Sequence, residues 1–243
     1  LAMFSLQYEQ AAVMFNLGVL LGRLGNAQIL GDPLVVGVKG GKVSGDNLKA
    51  ACNYYLQAAG VYQEILTVSG SIEVPPSCDL HPSILKGLVN LMLAQAQECC
   101  YWKGVAEGGF KDGVLAKVAF AAHQFYAAAV CDFADLPGIC GSAEGKMVIS
   151  GSSCKALILQ IHAELKKANE ESGLKKFADE LGRLQFVNDV LIPKLLQMDG
   201  YTTNKELNQM VRAIQEDVLR ECTRAKKDKQ LIYHEVPTAR TKL

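Results

Sequence analysis

The sequence predicts an all-α protein, an elongated array of long antiparallel helices. Apolar residues recur at spacings of three and four along most of the 243-residue chain, which is the period of a helix with one buried face. About seven such segments, each roughly 20 to 27 residues long, follow one another in hairpin succession. Loops rich in glycine, proline and serine separate them. With 49% apolar residues, this pattern favours a repeat-like scaffold over a four-helix bundle.

The first two helices differ in how much of their surface is apolar. Residues 5–24 are apolar on nearly every face, which predicts a helix buried on several sides and ended by Gly25. The glycine-rich residues 26–45 predict an excursion without helix. The second helix is predicted to start at Asp46, a plausible N-cap, and to bury a single face. That face is formed by Leu48, Ala51, Tyr55, Ala58 and Tyr62.

The third and fourth helices form the centre of the predicted array. The third is expected to start near Pro82 and to run to about residue 106. Its central stretch, LMLAQAQE at 91–98, contains Gln95, which we expect to satisfy backbone groups at loop ends. A glycine turn at Gly108 leads to a fourth helix that follows Asp112. The apolar stripe predicted for that helix is Val114, Val118, Ala121, Phe125 and Ala128.

Three further helices complete the predicted fold. They cover residues 146–171, 174–197 and 204–230. Pro193 is expected to kink or end the second of these, because proline lacks the donor that continues a helix. The predicted core positions are Phe177, Leu181, Leu184 and Leu191, followed by Leu207, Val211, Ile214, Val218, Cys222 and Ala225.

Charge and hydropathy exclude several classes of partner. The chain carries 25 basic and 25 acidic residues, so no overall field attracts nucleic acid or anionic lipid. The locally basic residues 224–242 are predicted to be solvated surface. Every long apolar run is interrupted by a charge or a glycine, and the N-terminus lacks the pattern of a signal peptide. These features predict a cytosolic protein.

The eight cysteines indicate neither a disulfide framework nor a zinc site, because no CxxC pair is present. We predict reduced, mostly buried thiols. The histidines lack the spacing of a helical metal pair, so neither a metal site nor a cofactor is predicted.

Catalysis by a thiol is the enzyme hypothesis that the sequence allows. Cys99 and Cys100 follow Glu98, but a neighbouring carboxylate raises the pKa of a thiol, and no histidine is placed beside them. The acidic pair Glu170 and Glu171 is predicted to lie on a solvated helix face. We therefore predict a protein that is not an enzyme. The leading alternative is a binding module with a groove between long helices that accepts an amphipathic helix.

Five blocks, in order along nearly the whole chain, resemble the Bro-one (BRO) domain of ALIX-like proteins. They are YEQAAVMFNLGVLL at 8–21, LMLAQAQE at 91–98, LAKVA at 115–119, FADELGRLQ at 177–185 and AKKDKQLIYHEVP at 225–237. The resemblance implies a curved scaffold with a tetratricopeptide-like core. It also implies that residues 1–243 form a single partial domain, without the family's N-terminal β-containing part.

The resemblance further implies a non-catalytic adaptor that binds the C-terminal amphipathic helix of an ESCRT-III subunit, of the charged multivesicular body protein type. Such an adaptor is cytoplasmic and is recruited through its partners to endosomes, where it serves multivesicular-body sorting. A signalling adaptor, either of the pH-response pathway or linked to Rho, is an alternative within the same family. A thiol-dependent enzyme remains the alternative from another class.

The resemblance also assigns residues. It places the partner-helix site on Lys49, Cys100, Lys103, Val114 and Val118. Cys100 stands where the family has an apolar or aromatic residue, and Asn53 stands where it has a second basic one. The tyrosine matching Tyr233 lies near a surface pocket in ALIX-like proteins and is a regulatory candidate. From the sequence around it, Tyr233 is equally expected to pin a turn with its ring.

Overall fold

The computed structural model describes residues 6–29, 44–68, 74–75, 78–134, 136–198 and 205–228. All regular elements within these ranges are helical, which confirms the all-α prediction. The helices are α1 (Leu6–Ile29), α2 (Gly45–Val68), α3 (Pro82–Glu107), α4 (Asp112–Ala134), α5 (Pro137–Cys140), α6 (Ala143–Gly173), α7 (Phe177–Phe186), α8 (Ile192–Leu196) and α9 (Lys205–Asp228), with a π-helical segment, Val187–Leu191, between α7 and α8.

Each long helix from α1 to α6 packs mainly against the long helices next to it in the chain, and single side chains also contact alternate helices. The α1 and α3 helices meet where Met92 Sδ lies 3.4 Å from the position that a Cβ atom would take on Gly22. The α3 and α6 helices meet through Lys155 Nζ, which lies 2.8 Å from Glu98 Oε2. The α2 helix packs against α1 and α3, and α4 packs against α3 and α6. This zigzag of antiparallel neighbours is the packing of a helical-repeat scaffold.

The α1 helix continues past Gly25, where the sequence predicted its end. The ring of Tyr55 lies 2.7 Å from the position of a Cβ on this glycine, and its hydroxyl donates to Asn26 Oδ1 at 2.7 Å. A glycine inside a helix allows a neighbouring element to approach closely. Gly25 is therefore a contact point with α2, and the helix ends at Ile29.

The α2 helix buries the face that its sequence predicted. All five predicted positions are at most 2% exposed: Leu48, Ala51, Tyr55, Ala58 and Tyr62. Its predicted N-cap was misplaced by two residues, because Ser44 rather than Asp46 provides the cap. The backbone N–H of Asn47 donates to Ser44 Oγ at 3.2 Å, which satisfies a free donor of the first turn.

The α4 helix buries a stripe next to the predicted one, so that prediction was wrong. Its buried positions are Leu115, Ala116, Ala119, Ala122, Tyr126, Ala129 and Phe133. Alanines lie in the core here because α3 and α6 both approach α4 closely, whereas Val114 remains 44% exposed. By length and composition alone α4 could cross a membrane. Its buried face packs against α3 and α6.

The predicted helix at 174–197 is divided. It begins at Phe177, after a turn in which Lys175 has a φ of 60°, and it widens into the π-helical segment just before Pro193. A proline ring clashes with the carbonyl four residues earlier in a regular helix, and a π turn relieves that clash. The buried positions predicted correctly in this half are Leu181, Leu184, Leu191, Val211, Val218, Cys222 and Ala225.

A buried ion cluster joins α7 to α6. Arg183 Nη1 lies 2.6 Å from Glu164 Oε2, and Arg183 Nε lies 2.8 Å from Glu171 Oε2. All three side chains are at most 8% exposed. The prediction of a solvated face was therefore wrong for Glu171. The neighbouring Glu170 pairs at the surface with Lys167.

Candidate functional site

The α2 and α3 helices bring three of the predicted site residues to one seam. Cys100 on α3 is exposed, and its Sγ lies 3.6 Å from Sγ of Cys52 on α2. Lys49 precedes Cys52 by three residues, so the two side chains share one side of α2. Lys49 is exposed. We call this place, lined by Lys49, Cys52, Cys100 and Lys103, the α2–α3 seam.

Lys103 lies one turn after Cys100 in the same seam. Its Cε is 3.7 Å from the position of a Cβ on Gly45, at the start of α2. Its Nζ lies 3.6 Å from Glu107 Oε1, and both side chains are at least one-third exposed. An exposed pair of this kind contributes about 0–1 kcal/mol, so the Lys103 ammonium is available to an acidic partner at little cost.

Val114 and Val118 form an apolar edge of α4. Val114 is exposed, while Val118 is half-buried and packs against the core shared by α3, α4 and α6. Trp102 on α3 packs against this core and against the core of α1, α2 and α3. The seam and the apolar edge therefore flank α3, with Trp102 between the two cores.

Two residues of this surface were missed from the sequence, and one predicted residue is not described. Cys52 was missed because nothing local indicates a contact with Cys100, which lies 48 positions away. Trp102 was missed because its place between the two cores depends on how the helices pack. Tyr233 lies outside the residues that the structure describes, so its role stays a prediction.

The adjacent thiols of Cys99 and Cys100 differ in acidity. Burial, with the Glu98 charge adding to it, raises the pKa of Cys99 to about 12. A hydrogen bond from the Cys52 thiol, helped by the nearby Lys103 charge, lowers the pKa of Cys100 to about 7. The argument that a neighbouring carboxylate suppresses the thiolate therefore applies to Cys99 but not to Cys100.

Glu98 accepts hydrogen bonds within a buried network. It accepts a hydrogen bond from the Tyr126 hydroxyl at 2.5 Å and another from Lys155 Nζ at 2.8 Å. Among the described residues, no hydrogen bond joins a histidine to Cys99 or Cys100. His123, for example, contacts the Ala156 carbonyl oxygen through Nδ1 at 2.9 Å. The described part of the chain therefore shows no base positioned to activate these thiols.

Within the described residues, no hydrogen bond joins Gln95 to a loop-end backbone group, contrary to the sequence prediction. Its Oε1 is buried with no hydrogen-bond partner in the described part of the chain. The side chain lines a cavity of about 40 Å³ together with Asn26, Tyr55 and Glu98. The prediction failed because Gln95 lies in the middle of α3, away from the loop ends.

His162 on α6 makes the stability of the fold depend on pH. Its ring lies 5.2 Å from the Trp102 ring and 5.6 Å from the Tyr101 ring, centroid to centroid. Burial, with the Lys166 charge adding to it, lowers the pKa of His162 from 6.5 to about 4. Between these values the unfolded chain binds a proton that the folded chain does not. Stability is therefore expected to fall by about 2–3 kcal/mol as the pH drops from 7 to 4.

Urea unfolding of wild type and His162→Phe at pH 7 and at pH 4.5 tests this expectation. The variant keeps an aromatic ring among its neighbours but has no proton to bind, so it should lose less stability in acid. Equal acid losses in the two proteins would show that His162 is not the group responsible.

This chain is similar to known proteins. The model of a family described as "BRO1-like domain" matches residues 1–243. Programmed cell death 6-interacting protein of Xenopus laevis is 32% identical over 238 residues, which is 97% of this chain and 24% of that protein. The pH-response regulator protein palA/RIM20 of Emericella nidulans is 29% identical over 235 residues, 94% of this chain and 25% of that protein. The chain thus spans about a quarter of these relatives.

Solved structures share the fold. The "ALIX BRO1 CHMP4C complex" has a TM-score of 0.78 and 27% identity, over 98% of this chain and 60% of that one. The structure described as "Structure basis for endosomal targeting by the Bro1 domain" has a TM-score of 0.77 over 97% of this chain. At 15% identity, that second likeness concerns the fold alone.

Proposed function

The chain belongs to the BRO1-like domain family, and we propose that it is a non-catalytic adaptor that binds the C-terminal amphipathic helix of an ESCRT-III subunit. The observation that carries this proposal is the similarity to a BRO1 structure in complex with CHMP4C, at a TM-score of 0.78. In this proposed role the protein acts in the cytoplasm and is recruited by its partners to endosomes. There it serves multivesicular-body sorting.

The chemistry of the surface suits an amphipathic helix with an acidic side. Such a helix presents an apolar stripe at spacings of three and four residues, which would pack on Val114 and Val118. The ammonium groups of Lys49 and Lys103, in the α2–α3 seam, would face acidic residues of the partner. Rim charges of this kind act mainly on association rate and register, so most of the affinity would come from the apolar edge.

Cys100 distinguishes this surface from one with an aromatic residue at the same place. A buried aromatic side chain contributes some 150–250 Å² of contact area, and a cysteine contributes much less. We therefore propose a shallow groove with moderate affinity for its partner. Binding would depend more strongly on the two valines of α4.

Val118→Asp is expected to weaken binding of an ESCRT-III C-terminal helix peptide by about 1–3 kcal/mol, or roughly five- to 150-fold in Kd. The reason is that a carboxylate would be buried without a partner against the apolar stripe of the peptide. Fluorescence anisotropy with a labelled peptide measures the effect. Val114→Asp should act in the same direction with less risk to folding, because Val114 is 44% exposed.

The matched control is Val190→Asp, because Val190 is 48% exposed in the π-helical segment, outside the proposed groove. It should bind the peptide as wild type does. If wild type, Val118→Asp and Val114→Asp bound with the same affinity, the proposed site would be wrong.

The identity of 29% to the palA/RIM20 regulator favours a second candidate, a pH-response signalling adaptor. The two candidates share the scaffold and differ in their partners. Affinity isolation that recovers pH-response components without an ESCRT-III subunit would favour the signalling role, whereas recovery of an ESCRT-III subunit would favour the endosomal one.

A further inference from the structure

The α2–α3 seam holds two thiols in contact. Cys52 and Cys100 come from different helices, and their Sγ atoms are 3.6 Å apart. Cys100 is exposed and Cys52 is half-buried, so small oxidants have access to the pair. A disulfide bond is about 2.05 Å long, so the two sulfurs need to approach by only about 1.5 Å. Each sulfur can move towards the other by rotation about the Cα–Cβ bond of its own side chain.

We propose that Cys52 and Cys100 form a redox-active dithiol that closes to an intramolecular disulfide on reaction with hydrogen peroxide. The inference concerns these two side chains, and it holds whatever partner the groove binds.

Exposure assigns the roles of the two thiols. Cys100 is the exposed thiol of the pair, and the hydrogen bond from Cys52 lowers the pKa of Cys100, so Cys100 is the attacking sulfur. The hydrogen bond to Cys100, followed by burial, raises the pKa of Cys52, so Cys52 stays protonated and resolves the intermediate. The Lys103 ammonium stabilises the thiolate.

The reaction takes two steps. The Cys100 thiolate attacks one peroxide oxygen and the O–O bond breaks, which leaves a sulfenic acid and a hydroxide that is protonated to water. The Cys52 sulfur then attacks the Cys100 sulfur, the S–O bond breaks, and a second water leaves with the Cys52 proton. Two thiols are oxidised to one disulfide while one peroxide is reduced to two waters. A thiol such as glutathione reverses the change by disulfide exchange.

Oxidation would compete with partner binding, and this consequence rests on the proposed function. A helix lying over Cys100 covers the attacking sulfur, and the disulfide draws that sulfur towards α2. The reduced chain would therefore be the binding form, and a bound helix would protect Cys100 from reagents.

Alkylation by iodoacetamide at pH 6.5 provides the first test. Cys100 should react about five-fold faster than Cys131, because the gain in thiolate exceeds the loss of intrinsic nucleophilicity. Cys131 on α4 is the matched control, since it is also exposed. Cys52→Ala removes the hydrogen-bond donor and should slow the alkylation of Cys100 towards the rate at which Cys131 is alkylated. A Cys99→Ala background assigns the signal to Cys100.

Peroxide treatment followed by mass spectrometry provides the second test. Wild type should lose two alkylation sites and yield a peptide that links Cys52 to Cys100, and glutathione should restore both sites. Cys52→Ala should yield no linked peptide. The inference is overturned if both thiols stay free under conditions that oxidise glutathione, or if Cys100 alkylates no faster than Cys131.

An ESCRT-III helix peptide separates this inference from the proposed function. At saturating concentration it should slow alkylation of Cys100 without affecting Cys131. A disulfide that forms without any protection by the peptide would support the dithiol and contradict the proposed partner site. Protection of Cys100 by the peptide without formation of a disulfide would support the proposed partner site and contradict the dithiol.

Discussion

Arg183→Met is expected to lower the free energy of unfolding by about 3–5 kcal/mol. Methionine fills a similar volume but removes the guanidinium that contacts both Glu164 and Glu171, each of which is almost fully buried. Both carboxylates would then lose their contact with the guanidinium in a medium of low dielectric. Urea unfolding followed by circular dichroism at pH 7 measures the change.

Two further variants separate burial of charge from loss of an ion pair. Arg220→Met breaks the Arg220–Asp217 pair, whose side chains are 69% and 53% exposed, and it should cost about 0–1 kcal/mol. Adding Glu164→Gln and Glu171→Gln to Arg183→Met removes the unmatched charges and should recover much of the loss. If Arg183→Met lowered the free energy of unfolding no more than Arg220→Met does, the cluster would not be electrostatically important.

Periodicity predicted the buried face of α2 and failed on α1 and α4. The sequence predicted an α1 buried on several sides, but its buried residues are small, and large ones such as Leu6, Val13 and Leu20 are exposed. The α2 helix shows a single apolar stripe, and each of its five predicted positions lies in the core. Around α4, contacts with both α3 and α6 make small residues as buried as large ones, so the valines that dominate the pattern mark an exposed edge. Gly25 was misinterpreted for the same reason, since close packing and helix termination both favour glycine.

Contacts between residues distant in sequence had no local signal. The charge of Glu171 predicted a surface position. Its contact with Arg183 depends on where α7 packs against α6, which the local sequence does not indicate. The contact of Cys52 with Cys100 likewise depends on the register between α2 and α3. The resemblance to a family located the candidate surface on Cys100 and Val118, but the acidity of the Cys100 thiol required the structure.

A close contact between α3 and α4 is the site of the second large effect. Phe133 is 2% exposed, and its Cδ1 lies 2.6 Å from the position that a Cβ would take on Gly87. Phe133→Ala should cost about 3–5 kcal/mol in unfolding free energy, because it removes a buried ring and leaves a cavity. Gly87→Ala should cost about 1–3 kcal/mol, because the added methyl and the ring cannot occupy the same space. Thermal and urea unfolding of both single variants measure these losses.

The double variant Gly87→Ala/Phe133→Ala tests whether steric conflict is the cause. Without the ring, the methyl enters vacated space, so the glycine substitution should become neutral or stabilise by up to about 1 kcal/mol through helix propensity. The two changes should therefore be non-additive by about 1–4 kcal/mol. Gly60→Ala on α2 is the matched control, because no atom lies within 4 Å of its Cβ position, and it should stabilise the fold slightly. If Gly87→Ala were as benign as Gly60→Ala, the helices would separate easily at this point, and the tight α3–α4 contact would not hold the array together.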